Sequence, residues 1–138
     1  MILKVDFSSS TPLYAQLKEQ ILYSIASGQI KSGSKLPSVR EISTELRINP
    51  STIIQAYREL EYEKIIFTKK GQGTFVSENS PNMSVEERNQ ILISAIEKVI
   101  IKAHHLGTDS DALLKLFKRQ LKKMKEFLSK GDKEVKGE

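Results

Sequence analysis

The chain has 138 residues, room for one ordinary domain or two small ones. With no cysteine and 38% hydrophobic residues, it excludes disulfides and thiolate metal sites, and no apolar run approaches the roughly 20 residues of a membrane helix. The net charge of +5 admits a nucleic-acid partner but divides almost evenly, +2 on residues 1–78 and +3 on the remainder, so the placement of charge decides more than its total.

The opening MILKVDFSSS lacks the long apolar core of a secretory signal, so the cytoplasm is the expected location. Residues 1–10 form a short arm in which Ile2, Leu3, Val5 and Phe7 could pack. Thr11 followed by Pro12 reads as an N-cap and a first helical position. Leu13, Leu17, Ile21 and Ile25 then recur every four residues, predicting a helix over 12–27 that ends at Gly28.

A second helix is predicted at 38–46. Ser38 and Glu41 have capping-box spacing, and Val39, Ile42 and Leu46 face the core. Arg47, Ile48 and Asn49 make a turn; Asn49 caps a third helix over 50–64, with Pro50 at its first position. On that helix Ile53, Ala56, Tyr57 and Leu60 share one face, while Ser51, Gln55, Arg58 and Tyr62 lie opposite, with Thr52 and Ile54 on the flanks. One face locks onto the other helices and one stays polar, as a recognition helix requires. Residues 65–68 and 74–77 are β-prone, and Lys69-Lys70-Gly71-Gln72-Gly73 joins them into a hairpin wing with two lysines at its tip.

Residues 79–83 read as a polar linker between a domain at 1–78 and a second region at 84–138. A fourth helix is expected at 84–105, opened by Ser84 and Glu87. Leu92, Ile96, Val99, Ala103 and Leu106 form its seam, which Ile91, Ile93, Ile100 and Ile101 widen towards a second surface. Gly107 breaks it, and Thr108 and Asp111 open a fifth helix over 109–129. That helix carries Leu114, Phe117, Leu121, Met124 and Leu128 on one face and Lys115, Lys118, Lys122 and Lys125 on the other. The charged tail 130–138 is expected to be disordered.

The expected fold class is mainly α: an N-terminal winged helix-turn-helix of three helices and a β-hairpin wing, then a two-helix C-terminal dimerisation extension. By itself the three-helix pattern also fits a bundle or a protein-binding module without nucleic acid. No nucleophile–base pair, metal-ligand set, phosphate loop or dinucleotide fingerprint stands out, so no enzyme activity, metal or cofactor is expected. His104 and His105 are adjacent, and neighbouring helical side chains diverge too far to chelate together.

The runs LPSVREISTELRINPSTIIQAYRELE and KKGQGTFV, preceded by PLYAQLKEQI and GQIKSGSKLPS, resemble the DNA-binding domain of GntR-type bacterial transcription regulators. The resemblance spans about residues 10–77, and the short two-helix C-terminal half with HHLGTDSDALLKLF resembles the YtrA branch. It implies a dimer that puts one helix per half-site in the major groove and its wing in the adjacent minor groove. It further implies that Arg40 reads a base, that Ser38, Ser51 and Thr52 meet phosphates, and that Lys69 and Lys70 reach the DNA backbone. Gly71 and Gly73 would admit close approach to the groove. Gln55 could pair with adenine, and Asn49 and Arg58 complete the expected DNA-binding set. Many family members carry arginine where this chain has Pro50 and Ile54; an isoleucine there can only pack or contact a thymine methyl, so the resemblance does not carry over the operator sequence.

The resulting expectation is a cytoplasmic, homodimeric repressor that binds double-stranded, palindromic DNA through 50–64 and the wing 65–77, with no membrane partner. The alternative is a ligand-sensing module. Two helices do not readily enclose a pocket of a few hundred Å³, so a small-molecule effector, of unidentified chemistry, would sit at the dimer or interdomain interface.

Overall fold

The structure is a computed structural model and describes residues 3–78 and 83–136. Its elements run α1 (Leu13–Ala26), α2 (Val39–Leu46), α3 (Pro50–Tyr62), β1 (Ile66–Lys69), β2 (Gly73–Val76), α4 (Val85–His105) and α5 (Ser110–Lys136). Among the described residues, five helices and one two-stranded antiparallel sheet make a mostly helical fold, with the helix-turn-helix and wing first and the long helices last. The chain divides into two units, and residues 3–78 and 83–127 fall in different ones.

The core of the first unit comes from the predicted stripes. Leu17 and Ile21 of α1, Ile42 of α2, Ile53, Ala56 and Leu60 of α3, and Ile66 and Val76 of the wing are almost wholly buried. Burying each large aliphatic side chain contributes about 1.5–3 kcal/mol. Lys18 adds a polar tie from α1 to α3, 2.7 Å from Glu63 and 3.5 Å from Glu59.

Helix ends show why the elements stop where they do. Pro12 (φ −57°, ψ 146°) is the non-helical cap of α1, so Thr11 does not cap it; the Thr11 carbonyl instead accepts from Gln16 Nε2 at 2.9 Å. Ser38 Oγ accepts the Glu41 N–H at 3.0 Å, as its spacing predicts. At the other end Arg47 is left-handed (φ 56°), and Ser43 Oγ donates to the Ile48 carbonyl at 2.8 Å. Helix α3 ends at Tyr62, two residues before expectation: Lys64 turns left-handed (φ 62°) and the Ile65 N–H reaches back to the Leu60 carbonyl, closing a Schellman-type end.

The arm that composition left undecided runs along α1. Its Lys4 and Asp6 N–H groups donate to the side chains of Gln20 and Gln16, and Leu3 enters the core. Ile2 lies outside the described residues, as do residues 79–82 of the expected linker.

In the second unit α4 is capped by Ser84 Oγ, which accepts the Glu87 N–H at 3.1 Å, and Gly107 (φ 78°) ends the turn that follows it. The cap of α5 is Asp109, whose Oδ1 accepts the Ala112 N–H at 2.8 Å, rather than Thr108 or Asp111. Helix α5 runs to Lys136, past the expected end at residue 129. Lys and Glu are good helix formers, and extending an existing helix avoids the cost of a new nucleus. No described helix is long and apolar enough to cross a membrane.

Candidate nucleic-acid interface

The expected DNA-binding residues sit at two helix N-termini and on a hairpin. Asn49 Oδ1 accepts both the Ser51 N–H and the Ser51 hydroxyl, each at 3.0 Å, and Pro50 occupies the first helical position. That cap fixes where α3 starts and which way its polar face points. Ser51, Gln55 and Arg58 are exposed on that face, Thr52 is half-buried beside them, and Ile54 stands in the open. The opposite residues, Ile53, Ala56, Tyr57 and Leu60, are buried. An apolar underside and a polar outer face therefore divide α3 as its periodicity predicts.

Arg40 lies exposed in the first turn of α2, two residues after the Ser38 cap. Its helix is held against α3 by a bond invisible to local patterning: the Tyr57 hydroxyl donates to the Pro37 carbonyl at 2.6 Å. Burial, and secondarily the charge of Glu41, push the Tyr57 phenol well above its usual pKa, so it remains a donor throughout the neutral range.

The wing differs from its predicted outline by one residue at each strand. Ile66, Phe67, Thr68 and Lys69 pair with Val76, Phe75, Thr74 and Gly73, so Lys69 and Gly73 are strand residues and the loop is only Lys70-Gly71-Gln72. Hydrophobicity alone put Lys69 in the loop; the hydrogen-bonded register puts it in the strand. Gly71 (φ 78°) and Gly73 (φ 123°) take conformations that other residues adopt only with strain. Lys70 is exposed at the tip, while the Lys69 ammonium lies over two stacked rings, 5.8 Å from the Phe67 centroid and 5.3 Å from that of Phe75.

The expected residues thus fall into three groups on this unit: Ser38 and Arg40 at the start of α2; Asn49, Ser51, Thr52, Gln55 and Arg58 along α3; Lys69, Lys70, Gly71 and Gly73 on the wing. Sequence reading missed the support beneath the wing. Residues 33–36 run along β2: the Gly33 and Leu36 N–H groups donate to the Val76 and Thr74 carbonyls, and the Ser34 carbonyl accepts the Val76 N–H. Lys35 pairs with Phe75 in this arrangement. A long-range strand pair of single residues leaves no periodic signal. The far edge of the hairpin is held by Glu61 of α3, whose carboxylate accepts the Thr68 N–H at 3.1 Å.

A family model described as "Bacterial regulatory proteins, gntR family" matches residues 13–76. The chain is 40% identical over 112 residues to the HTH-type transcriptional repressor YtrA of Bacillus subtilis (strain 168), covering 81% of this chain and 86% of that protein. Among solved structures it is similar to YtrA from Sulfolobus acidocaldarius, a GntR-family transcription factor, with a TM-score of 0.60 and 30% identity over 88% of this chain and 98% of that one. AraR(DBD) in complex with operator ORX1 matches 54% of this chain and 96% of its own, with a TM-score of 0.50 and 31% identity.

Proposed function

The chain belongs to the gntR family of bacterial regulatory proteins, and from that premise we propose that it is a homodimeric repressor reading a palindromic operator through α3 and the wing. As a transcriptional regulator it is not an enzyme. Arg40 donates two hydrogen bonds to a guanine edge, which discriminates by about 1–3 kcal/mol. Ser38, Ser51 and Thr52 meet phosphates at the two helix N-termini, where free N–H groups and the helix dipole favour anions. Gln55 reads an adenine, and Asn49 and Arg58 flank it. Lys69 and Lys70 contact the backbone while Gly71 and Gly73 let the hairpin approach the minor groove.

The relatives support this reading: one similar protein is named as a repressor, and one similar structure is held on an operator. Dimerisation rests on one observation. Leu92, Ile93, Ile96, Val99 and Ile100 of α4 and Leu114, Phe117 and Leu121 of α5 are all about half exposed, and Ala103 is the only buried side chain described on either helix. So many half-exposed apolar side chains along two helices mark an interface. Covering the remaining half of each side chain is worth on the order of 1 kcal/mol. Eight such residues per chain, counted on both partners, outweigh an association cost of about 4–15 kcal/mol.

A two-fold dimer presents two α3 helices to two half-sites, which is why the operator is palindromic. Selection of bound duplexes from a random pool, with sedimentation equilibrium on the same preparation, tests the whole reading. The expected result is a dimer that enriches inverted half-sites. A monomer, or an enriched site without two-fold symmetry, overturns it.

A further inference from the structure

The solvent side of the wing carries more than its tip. Lys35 opposes Phe75 across one strand pair, and Phe75 opposes Phe67 across the next. Residues directly opposed in a sheet project to the same face, so Lys35, Phe75 and Phe67 form a row. Lys69, two residues from Phe67, shares that face and hangs over both rings. The alternate positions Ile66 and Val76 point the other way, into the core.

Gly73, opposite Lys69, adds no side chain to this face, and Lys35 takes the space. A Cβ on Gly73 would lie 2.6 Å from Lys35 Cε and 3.5 Å from its Nζ. Two lysines therefore flank β2 on this face, Lys69 over the rings and Lys35 in the space beside Gly73. Neither has an acidic partner among the described residues. Two like charges on one exposed face without a counter-charge repel each other, and an anion bound at that face is attracted by both.

We propose that Lys35 is a third DNA-contacting lysine of the wing, neutralising a backbone phosphodiester beside Lys69. The inference rests on the wing engaging DNA as described above. The ring pair acts as a platform: it holds the Lys69 ammonium by its π faces, while the Lys35 stem is positioned by the missing side chain at Gly73.

The test compares the wild type with Lys35→Gln and Lys35→Arg, measuring affinity for the selected duplex and for a random-sequence duplex between 50 and 200 mM salt. One lost phosphate contact lowers the slope of log K against log salt by about 0.9, so Lys35→Gln should lose about threefold less affinity than wild type across that range. The loss should appear on both duplexes, and Lys35→Arg should restore the slope. A wild-type slope in Lys35→Gln, with or without a fall in thermal stability, overturns the proposal and leaves Lys35 a spacer under Gly73. A wild-type protein that binds neither duplex overturns the DNA reading of the wing itself, which is a separate failure.

Discussion

The Tyr57 hydroxyl and the Pro37 carbonyl, 20 positions apart in the chain, meet at 2.6 Å. This bond joins the middle of α3 to the residue before the Ser38 cap, and so sets the start of α2, with Arg40, against α3. Tyr57→Phe keeps the ring packing but strands a half-buried carbonyl, at a cost of about 1–2 kcal/mol. Urea denaturation should show the midpoint fall at unchanged slope. An unaltered midpoint would mean that water replaces the hydroxyl.

Stability should hold through neutral pH and fall in alkali. Burial, then Glu41, raises the Tyr57 phenol well above its ordinary value of 10.0. Burial would lower the Lys18 ammonium, but its bond and charge interactions with Glu63, then Glu59, bring it above 10.5. Both folded values exceed the unfolded ones, so both contributions are complete below pH 10 and are lost as pH rises through the folded values. Thermal melts from pH 8 to 11 should show a decline starting near the ordinary tyrosine value of 10.0. Tyr57→Phe should show a shallower decline, and equal declines would remove Tyr57 as its source.

Arg40→Ala should weaken binding to the selected operator by about 1–3 kcal/mol and relax one base position per half-site. Arg40→Lys should recover charge without the two-pronged geometry, and so regain salt dependence but not the base preference. Mobility shifts on operators substituted at each position read both effects. Retention of the base preference in Arg40→Ala would reassign the reading to Gln55 or Arg58.

Ile96→Glu places a charge in the exposed seam of α4. Burying an unpaired carboxylate opposes association by several kcal/mol, so the dimer should weaken by at least about 100-fold. Residues 3–78 do not depend on this side chain for their core, so the near-native helical signal should remain. Sedimentation equilibrium should report monomer, and operator binding should lose its two-site cooperativity. A dimer of unchanged affinity would move the interface off α4.

Much of the fold could be read from residues a few positions apart. The Ser38, Asn49 and Ser84 caps, the α3 division into buried Ile53, Ala56, Tyr57 and Leu60 and exposed Ser51, Gln55 and Arg58, and the left-handed Gly71 all follow from local rules. Misjudged boundaries had local causes too: Pro12 took the cap from Thr11, and good helix formers carried α5 past residue 129. The positions of the expected DNA-binding residues were legible because a helical period and a hairpin loop place them. Which of them can act together was not.

The sequence by itself determined the elements of this protein and the faces they bury, because helix caps, apolar periods and glycine turns act within one or two turns of chain. It also carried the family, through motifs whose order spans most of the first unit. Only the tertiary structure decided that Tyr57 holds Pro37, that Lys18 bridges to Glu59 and Glu63, and that residues 33–36 lie along β2 with Lys35 under Gly73. Those contacts join residues 20 to 45 positions apart. No local preference encodes them, because each exists only once the core has brought its partners within hydrogen-bond or van der Waals reach.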